Sequence, residues 1–491
     1  MKSTLAAVIL HIILCDFALA GIAFQVSPQK VSGLPDGFLA TCWTMADVEG
    51  RGIPDVIVAG NWWTDRASRS AAFVLGVADG VLSVKHTLFE RVAAASPEEP
   101  DGIHGPGIQS LSHCDLNNDG REEVFAIGSD PSEHRMAQWR DGAWVEGPLP
   151  FRGLVFPVIA WLDFDGDGWI DLFLVGGEPI AGREREVVGV VGRLWRNEHG
   201  KLQPTDITFD VREYVDSAHV IDFDQDGKPD LLLGVDTSRN TQRACNRLFL
   251  NRPPGFEEVE FPLEGLDKLE GLSRMHVSSA DFDGDGLVEL LAAGSWHGRI
   301  GTKGYVSLIY RKKRWPEANR YTLSYDYSLT DELPDILGPF VVADLDGDGD
   351  PDVFASGSGR DSRLHIVCLE NKGGHLQRIV DGPWRANAEQ PLGEEYGDIV
   401  VPVDVNHDGL TDFVCFPSAT GKDIMLLSNV SRKAGGSESR ERQRGAISWG
   451  ANFVLDWAGN ARVPDPRHLV SAVRGEGRAK AGALKAEGTE R

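Results

Sequence analysis

Three observations predict an all-β fold, a seven-bladed β-propeller of four-stranded antiparallel blades. A short acidic pattern, D-x-[DN]-x-[DN]-G-x-x-[DE] in its full form, returns seven times at intervals of about 60 residues, which suits a four-stranded blade and no short solenoid turn. Each copy sits between two apolar runs, such as Phe156 to Leu162 before and Leu172 to Val175 after, and a glycine-marked hairpin follows. The runs after the loops, DLFLV, DLLLG, ELLAAG and DVFAS, are apolar almost throughout, the pattern of sheets covered on both faces.

Taken in chain order, residues 1–20 read as a secretory signal peptide: Met1-Lys2, an apolar stretch from Leu5 to Leu14, then Ala18-Leu19-Ala20 before Gly21 as an A-x-A cleavage site. Cys15 suits a lipoprotein poorly, because Leu14 before it is too large for the usual cleavage box. No later run is long enough to span a bilayer, so no membrane insertion is expected and the mature protein should be exported. Residues 21–430 hold the repeats. An orphan strand, Ile22 to Val26, precedes the first unit, and the last unit stops after its third strand, Ile424 to Leu427. The orphan strand is therefore expected to complete the last blade and remove exposed sheet edges. Hairpins are predicted at Leu194 to Arg196 with a turn at His199-Gly200, at Leu248 to Leu250 with Pro253 to Gly255, and at Val367 to Leu369 with Gly373-Gly374. Residues 431–491, rich in Arg, Gly, Ser, Ala and Glu, read as a disordered, mildly basic tail.

The acidic loops carry the chemistry. Oxygen donors at positions 1, 3 and 5 curl round a hard cation, the glycine at 6 permits the turn, position 7 offers its carbonyl and a carboxylate at 9 closes the shell. The expected metal ligands are Asp115, Asn117, Asp119 and Glu123; Asp163, Asp165, Asp167, Trp169 and Asp171; and Asp222, Asp224, Asp226, Lys228 and Asp230. They continue with Asp281, Asp283, Asp285, Leu287 and Glu289; Asp344, Asp346, Asp348, Asp350 and Asp352; and Asp404, Asn406, Asp408, Leu410 and Asp412. Calcium, which takes six to eight oxygens in flexible geometry, is the expected ion, at up to six structural sites. Merely hydrophilic turns would explain one copy better than six in register. An EF-hand is excluded, because it needs a bidentate Glu at position 12, where this chain has Leu174, Leu233, Ala292 or Ala355. The first copy, Asp47-Glu49-Arg51-Gly52-Asp55, is degraded, and Arg51 is expected to hold that loop by an internal ion pair in place of the metal.

The net charge of −25 has a local origin in these loops, whose acidic ligand positions equal the whole deficit. It therefore points to no basic partner, and nothing suggests nucleic-acid binding. Five cysteines follow the signal, Cys42, Cys114, Cys245, Cys368 and Cys415, an odd number without a CxxC spacing. Buried single thiols are expected in preference to a disulfide framework.

The loops, with hairpins such as LWRNEHGKLQPTDITFD and NRLFLNRPPGFEEVEF, resemble FG-GAP/VCBS repeats, the family that includes the seven-bladed propeller of integrin alpha subunits. The resemblance covers nearly all of residues 21 to 430. It implies structural calcium bracing the turn between the first two strands of a blade. It selects no single activity, since relatives include adhesion modules, fungal lectins and some polysaccharide lyases.

Loops between strands two and three should emerge on the face opposite the calcium turns. They carry a fainter basic repeat, Arg66, Arg135, Arg183, Arg243, Arg299, Arg363 and Lys422, which either rings a channel for an acidic glycan or pairs with acids in its own loops, such as Asp130. Trp62, Trp63, Trp296 and His297 fall on the same face, as sugar-stacking surfaces or as packing between blades. His113, His219 and His276 precede acidic loops, either as a second metal site or as satisfied core groups. No G-x-S-x-G, H-E-x-x-H, phosphate loop or dinucleotide fingerprint is present. The leading expectation is a secreted extracellular recognition or adhesion module for glycan or protein, with enzymatic activity less expected. A polysaccharide lyase, recruiting Arg135 with His134 or Arg299 with His297, and a purely structural surface protein are the alternatives.

Overall fold

The computed structural model describes residues 22–64, 67–78, 80–94, 107–128, 131–151, 153–180, 183–211, 215–224, 226–235, 246–259, 272–284, 289–298, 301–311, 323–325, 340–358, 364–379, 396–417 and 423–431. The expected signal and tail lie outside them.

The described strands form seven four-stranded antiparallel sheets. Six take four consecutive strands each. Blade one is Leu39–Ala46, Asp55–Thr64, Ala67–Ala78 and Val81–Ala94, and blade two is Ile108–Cys114, Glu123–Gly128, Arg135–Arg140 and Ala143–Gly147. Blade three is Val155–Leu162, Asp171–Ile180, Arg183–Asn197 and Leu202–Phe209, and blade four is Val215–Ile221, Asp230–Val235, Asn246–Arg252 and Gly255–Val259. Blade five is Leu272–Ala280, Glu289–Gly298, Gly301–Arg311 and Leu323–Tyr325, and blade six is Phe340–Ala343, Asp352–Ser358, Leu364–Asn371 and Leu376–Arg378. The remaining sheet joins Tyr396–Val403, Asp412–Pro417 and Ile424–Asn429 to the N-terminal strand Phe24–Gln29. Phe24 faces Asn429 and Gln29 faces Ile424 in that pairing, so the two ends of the propeller share one sheet. Apart from one short 3-10 turn at Pro131–Glu133, the described elements are strands.

The apolar runs flanking each acidic loop become the two inner strands, covered on both faces by neighbouring blades. Between blades one and two the seam is Cys42, Ile57, Ala59, Val74 and Leu88 against Ile108, Leu111, Val124 and Ala137. The closing strand contributes Phe24, whose ring meets Phe354 of blade six and Phe413 of blade seven at 5.9 and 5.6 Å between centroids. Burying one such ring contributes about 1.5–3 kcal/mol, so the closure is held by packing as well as by ladder hydrogen bonds. Cys42, Cys114, Cys368 and Cys415 are buried free thiols, and Cys245 lies outside the described residues. Burial pushes the Cys42 thiol up to about 12, which keeps it protonated and unreactive. No described helix is long and apolar enough to cross a membrane.

Candidate metal centres and the opposite face

Each acidic loop links the first and second strands of a blade, so all seven emerge at one face. In six of them the position-1 carboxylate accepts the N–H of the glycine at position 6: Gly52 to Asp47, Gly120 to Asp115, Gly168 to Asp163, Gly227 to Asp222, Gly349 to Asp344 and Gly409 to Asp404. That glycine sits at positive φ, for example 88° at Gly168 and 101° at Gly349, a region where a Cβ is strained. The position-5 side chain accepts the N–H of position 7, as Asp167 does from Trp169 and Asp408 from Leu410.

The buried carboxylate at position 9 does two jobs. One oxygen accepts the N–H of position 2: Leu116 to Glu123, Phe164 to Asp171, Phe223 to Asp230, Leu345 to Asp352 and Val405 to Asp412. Except in Glu123, the other accepts the N–H of an asparagine ending the third strand: Asn197, Asn251, Asn371 or Asn429, at 2.6 to 2.8 Å. The expected closing ligand is thus also a brace tying the loop to the sheet.

What remains is a set of converging acids. Asp163, Asp165 and Asp171, then Asp222, Asp224 and Asp230, then Asp344, Asp346 and Asp348 each bring three carboxylate oxygens within 4.8 Å of one another. Asp163 Oδ1 is buried and accepts no hydrogen bond. Burial, opposed by the backbone N–H bonds and aided by neighbouring carboxylates, pushes Asp171 and Asp230 up to about 7 and Asp352 to about 8. Burial likewise lifts Glu123 to about 7 and Asp346 and Asp412 to about 6. A cation among these groups would oppose the shift by favouring the ionised carboxylates. An all-oxygen, carboxylate-rich donor set with an orphaned oxygen fits a hard cation.

The loops differ in what else touches them. Arg196 reaches Asp165 and Asp167 at 2.6 and 3.2 Å, and Arg252 reaches Asp224 and Asp226, all from the solvent side. In the Asp47 loop the expected internal pair is present and goes deeper. Arg51 bonds Glu49 at 2.8 Å and the buried Asp55 at 2.7 Å, and Lys85 from the fourth strand adds a 3.0 Å bond to Asp55. In blade two, Asn117 donates to Glu123 at 2.6 Å, so an amide takes the place of one carboxylate. Asp281 and Asp283 are described, Asp285 and Leu287 lie outside the described residues, and nothing is said of the Glu289 side chain.

The asparagines were not anticipated, although LWRN, LFLN, CLEN and LLSN all carry them in one register. Their amides donate across blade boundaries to the position-2 carbonyl of the preceding loop: Asn197 to Leu116, Asn251 to Phe164, Asn371 to Phe282 and Asn429 to Leu345, at 2.7 to 2.8 Å. The same register position is Val77 in blade one, Trp139 in blade two and Arg311 in blade five. At the blade one–two boundary Glu122 substitutes: it accepts the Asp47 N–H at 2.6 Å and meets His113 Nδ1 at 3.0 Å.

In four blades the acidic loop thus braces its own blade, and the asparagine after it binds the loop before. The family model of the FG-GAP-like repeat divides the chain in the same way, matching residues 115–174, 163–233, 222–292, 281–355 and 344–415, so that each match starts on a position-1 aspartate. This chain belongs to the FG-GAP-like repeat family. The degraded Asp47 loop lies outside the matched FG-GAP segments. Among solved structures, a thermostable family-43 glycoside hydrolase is similar to this FG-GAP chain at 12% identity and a TM-score of 0.30, over 57% of this chain and 95% of that one. No curated protein matches.

On the face opposite the loops, Trp62 takes the packing alternative and its sugar-stacking reading is corrected. Trp62 is only 8% exposed and packs against Phe38 and Phe73, because its face of the strand turns to blade seven; it offers no sugar-stacking surface. Its neighbour Trp63, on the other face, is 40% exposed. Arg135 faces an acid on the fourth strand of its own blade, Glu146. It donates to the carbonyls of Ser132 and His134 and lies 3.4 Å from Glu146. His134 is buried, with Nε2 3.2 Å from the Gly128 carbonyl, so the Arg135–His134 pair does not present an accessible base. His219 is buried beside Ser217, and His113 bonds Glu122, both as core groups. Arg66, Arg243, Arg299, Arg363 and Lys422, and the side chains of Arg183, His276, Trp296 and His297, lie outside the described residues. A cavity of about 410 Å³ opens in blade three, away from its acidic loop, lined by Leu154, Glu178, Arg193, Trp195, Phe209 and Asp210 among others.

Proposed function

We propose that this FG-GAP protein is an exported seven-bladed propeller, stiffened by calcium in its acidic loops, that acts as an extracellular recognition module for glycan. The observation that carries the calcium is the buried, unpartnered Asp163 Oδ1 beside Asp165 and Asp171. An uncompensated carboxylate in that position is costly, and a hard divalent ion is its natural partner. Asp163, Asp165 and Asp171, Asp222, Asp224 and Asp230, and Asp344, Asp346 and Asp348 would hold it, and its charge would stiffen the turn that carries them. The apolar run that opens the sequence supports export into surroundings where calcium is plentiful.

Of the two candidate lyase pairs, the one among the described residues favours binding over catalysis, with His134 enclosed and Arg135 turned to Glu146. The test is retention of neutral and acidic polysaccharides by the calcium-loaded protein, repeated after chelation, with the glycan inspected for cleavage. Uncleaved, retained glycan supports the reading. Unsaturated oligosaccharide products would replace it with a lyase, and no retention would leave a protein ligand or a scaffold.

A further inference from the structure

The seam between blades one and two is apolar at its centre, but its character changes toward the face opposite the acidic loops. There, blade one presents Asn61 and Trp63 on its second strand and Ser68 and Ser70 on its third. Asn61 pairs with Ser70 and Trp63 with Ser68, so all four lie on the sheet face that carries Ile57, Ala59 and Val74 against blade two. Ser70 in turn pairs with Arg91 of the fourth strand.

The ladder has a bulge at this point: Phe89 and Glu90 oppose the single residue Ala71 between the pairs Ala72–Leu88 and Ser70–Arg91. Phe89, buried, has a φ of 59°, which is strained for a bulky side chain. Bulges commonly re-aim a side chain. Here the residue that follows the bulge, Arg91, reaches Glu146 of blade two, with its Nη1 at 3.2 Å from Oε2. Arg135 approaches the same carboxylate.

Two features of this corner are not accounted for by holding two blades together. The first is charge: one carboxylate is shared by two guanidinium groups, leaving one formal positive charge uncompensated within the triad. The second is the Ser70 hydroxyl, which is 1% exposed and has no hydrogen-bond partner. A buried hydroxyl without a partner costs about 1–3 kcal/mol.

We propose that this corner is the seat of an anionic sugar unit, a uronate or a sulfated residue, which deepens and rests on the glycan reading above. The 40% exposed indole of Trp63 supplies a stacking plane for the apolar face of the pyranose. Half-buried Asn61 supplies an amide for ring hydroxyls, and Arg91 supplies a two-pronged donor for the carboxylate or sulfate. Because the Arg91–Glu146 pair is partly solvent-exposed, it is worth only about 0–1 kcal/mol, so Arg91 turns from Glu146 to a ligand at small cost. Arg135, tethered by two backbone carbonyls, stays and keeps Glu146 neutralised.

The experiment is calorimetric titration of the full chain at 1 mM calcium, a level near the weak end of extracellular calcium modules (about 10⁻⁴ to 10⁻³ M). The probes are a galacturonic acid trimer, a heparin hexasaccharide and neutral cellohexaose. The wild type is expected to bind at least one anionic probe and not the neutral one; binding of the galacturonic acid trimer shows that carboxylate suffices, and binding of heparin alone shows that sulfate is required. Trp63→Ala and Arg91→Gln should each weaken binding tenfold or more while melting like the wild type, and Arg193→Ala, at the blade-three cavity, should change nothing. Anionic binding unaltered by the first two variants overturns the seat but leaves the glycan reading standing. Loss on Arg193→Ala moves the site to blade three and overturns it too. Preference for the neutral probe overturns the anionic class, and silence of all three probes overturns the seat together with the glycan reading.

Discussion

The Asp47 loop and the Asp163 loop share a backbone turn and differ in how their negative charge is balanced. In both, the position-1 carboxylate accepts the N–H of the position-6 glycine. In the first, Arg51 and Lys85 reach the buried Asp55 and supply the positive charge from within the chain. In the second, Arg196 touches only the outer acids Asp165 and Asp167, and Asp163 Oδ1 stays buried and unpartnered. The turn itself therefore needs the glycine and the position-1 acid. On the proposed reading, an ion serves the loops that have collected more carboxylates than the chain neutralises.

The sharpest way to break this comparison is to remove the ion everywhere. At a tenfold excess over its dissociation constant an ion stabilises by about 1.4 kcal/mol per site, so three or more sites together amount to several kcal/mol. Chelation should lower the melting temperature by roughly 5 °C, restored by calcium; an unchanged melt would mean that the acidic loops are self-sufficient. Next in size is Asp171→Ala, which strands the N–H groups of Phe164 and Asn197. Bonds to a charged acceptor are worth about 1.5–3 kcal/mol each, so this variant should lose about 3 kcal/mol in urea unfolding even with chelator present. Asp163→Ala should instead lose mainly the calcium increment. Equal losses with and without calcium in both variants would erase the distinction between brace and ligand.

Proton linkage offers a third test on the metal-free protein. Burial raises the carboxyls of Asp352 to about 8, of Asp171, Asp230 and Glu123 to about 7, and of Asp346 and Asp412 to about 6. Each holds its proton more tightly in the folded chain than in the unfolded one. The folded state therefore binds more protons from the ordinary carboxylate range up to about pH 8, and stability falls as pH rises through that window. Chelated protein should thus unfold at lower urea at pH 8 than at pH 6, and saturating calcium should shrink or reverse the difference. A smaller effect is expected from Asn371→Ala, which removes the amide bond to the Phe282 carbonyl and should cost about 1–3 kcal/mol with or without calcium. Smallest in stability is Arg51→Asp combined with Lys85→Ala, which makes the first loop resemble the others and should add one calcium to the titrated stoichiometry. An unchanged stoichiometry would mean that a loop in this position cannot hold the ion.

Much of this was legible in the sequence, because the acidic loops and the hairpin glycines at 200, 373 and 374 act through local geometry: position-6 residues need positive φ and turns need glycine. The strand ends at Asn197 and Asn371 fall within two residues of the hairpin predictions at Arg196 and Leu369. Even the Arg51 pair follows from spacing, since positions 5 and 9 of one loop are neighbours. The asparagines were missed because each looks like an ordinary turn residue until its amide is seen to reach a carbonyl in another blade. Trp62 and Trp63 were equally opaque. Strand alternation says that they point to opposite faces, but not which face meets a neighbour along its full length.

The sequence by itself determined the repeat, the strand-loop-strand unit, the acidic turns and the Arg51 pair, all set by contacts within a few residues. Only the tertiary structure decided that asparagines bridge successive blades and that Arg91 and Arg135 share Glu146 beside Trp63. Those depend on which blade packs against which face, and residues from distant parts of the chain meet there only after the sheets have stacked.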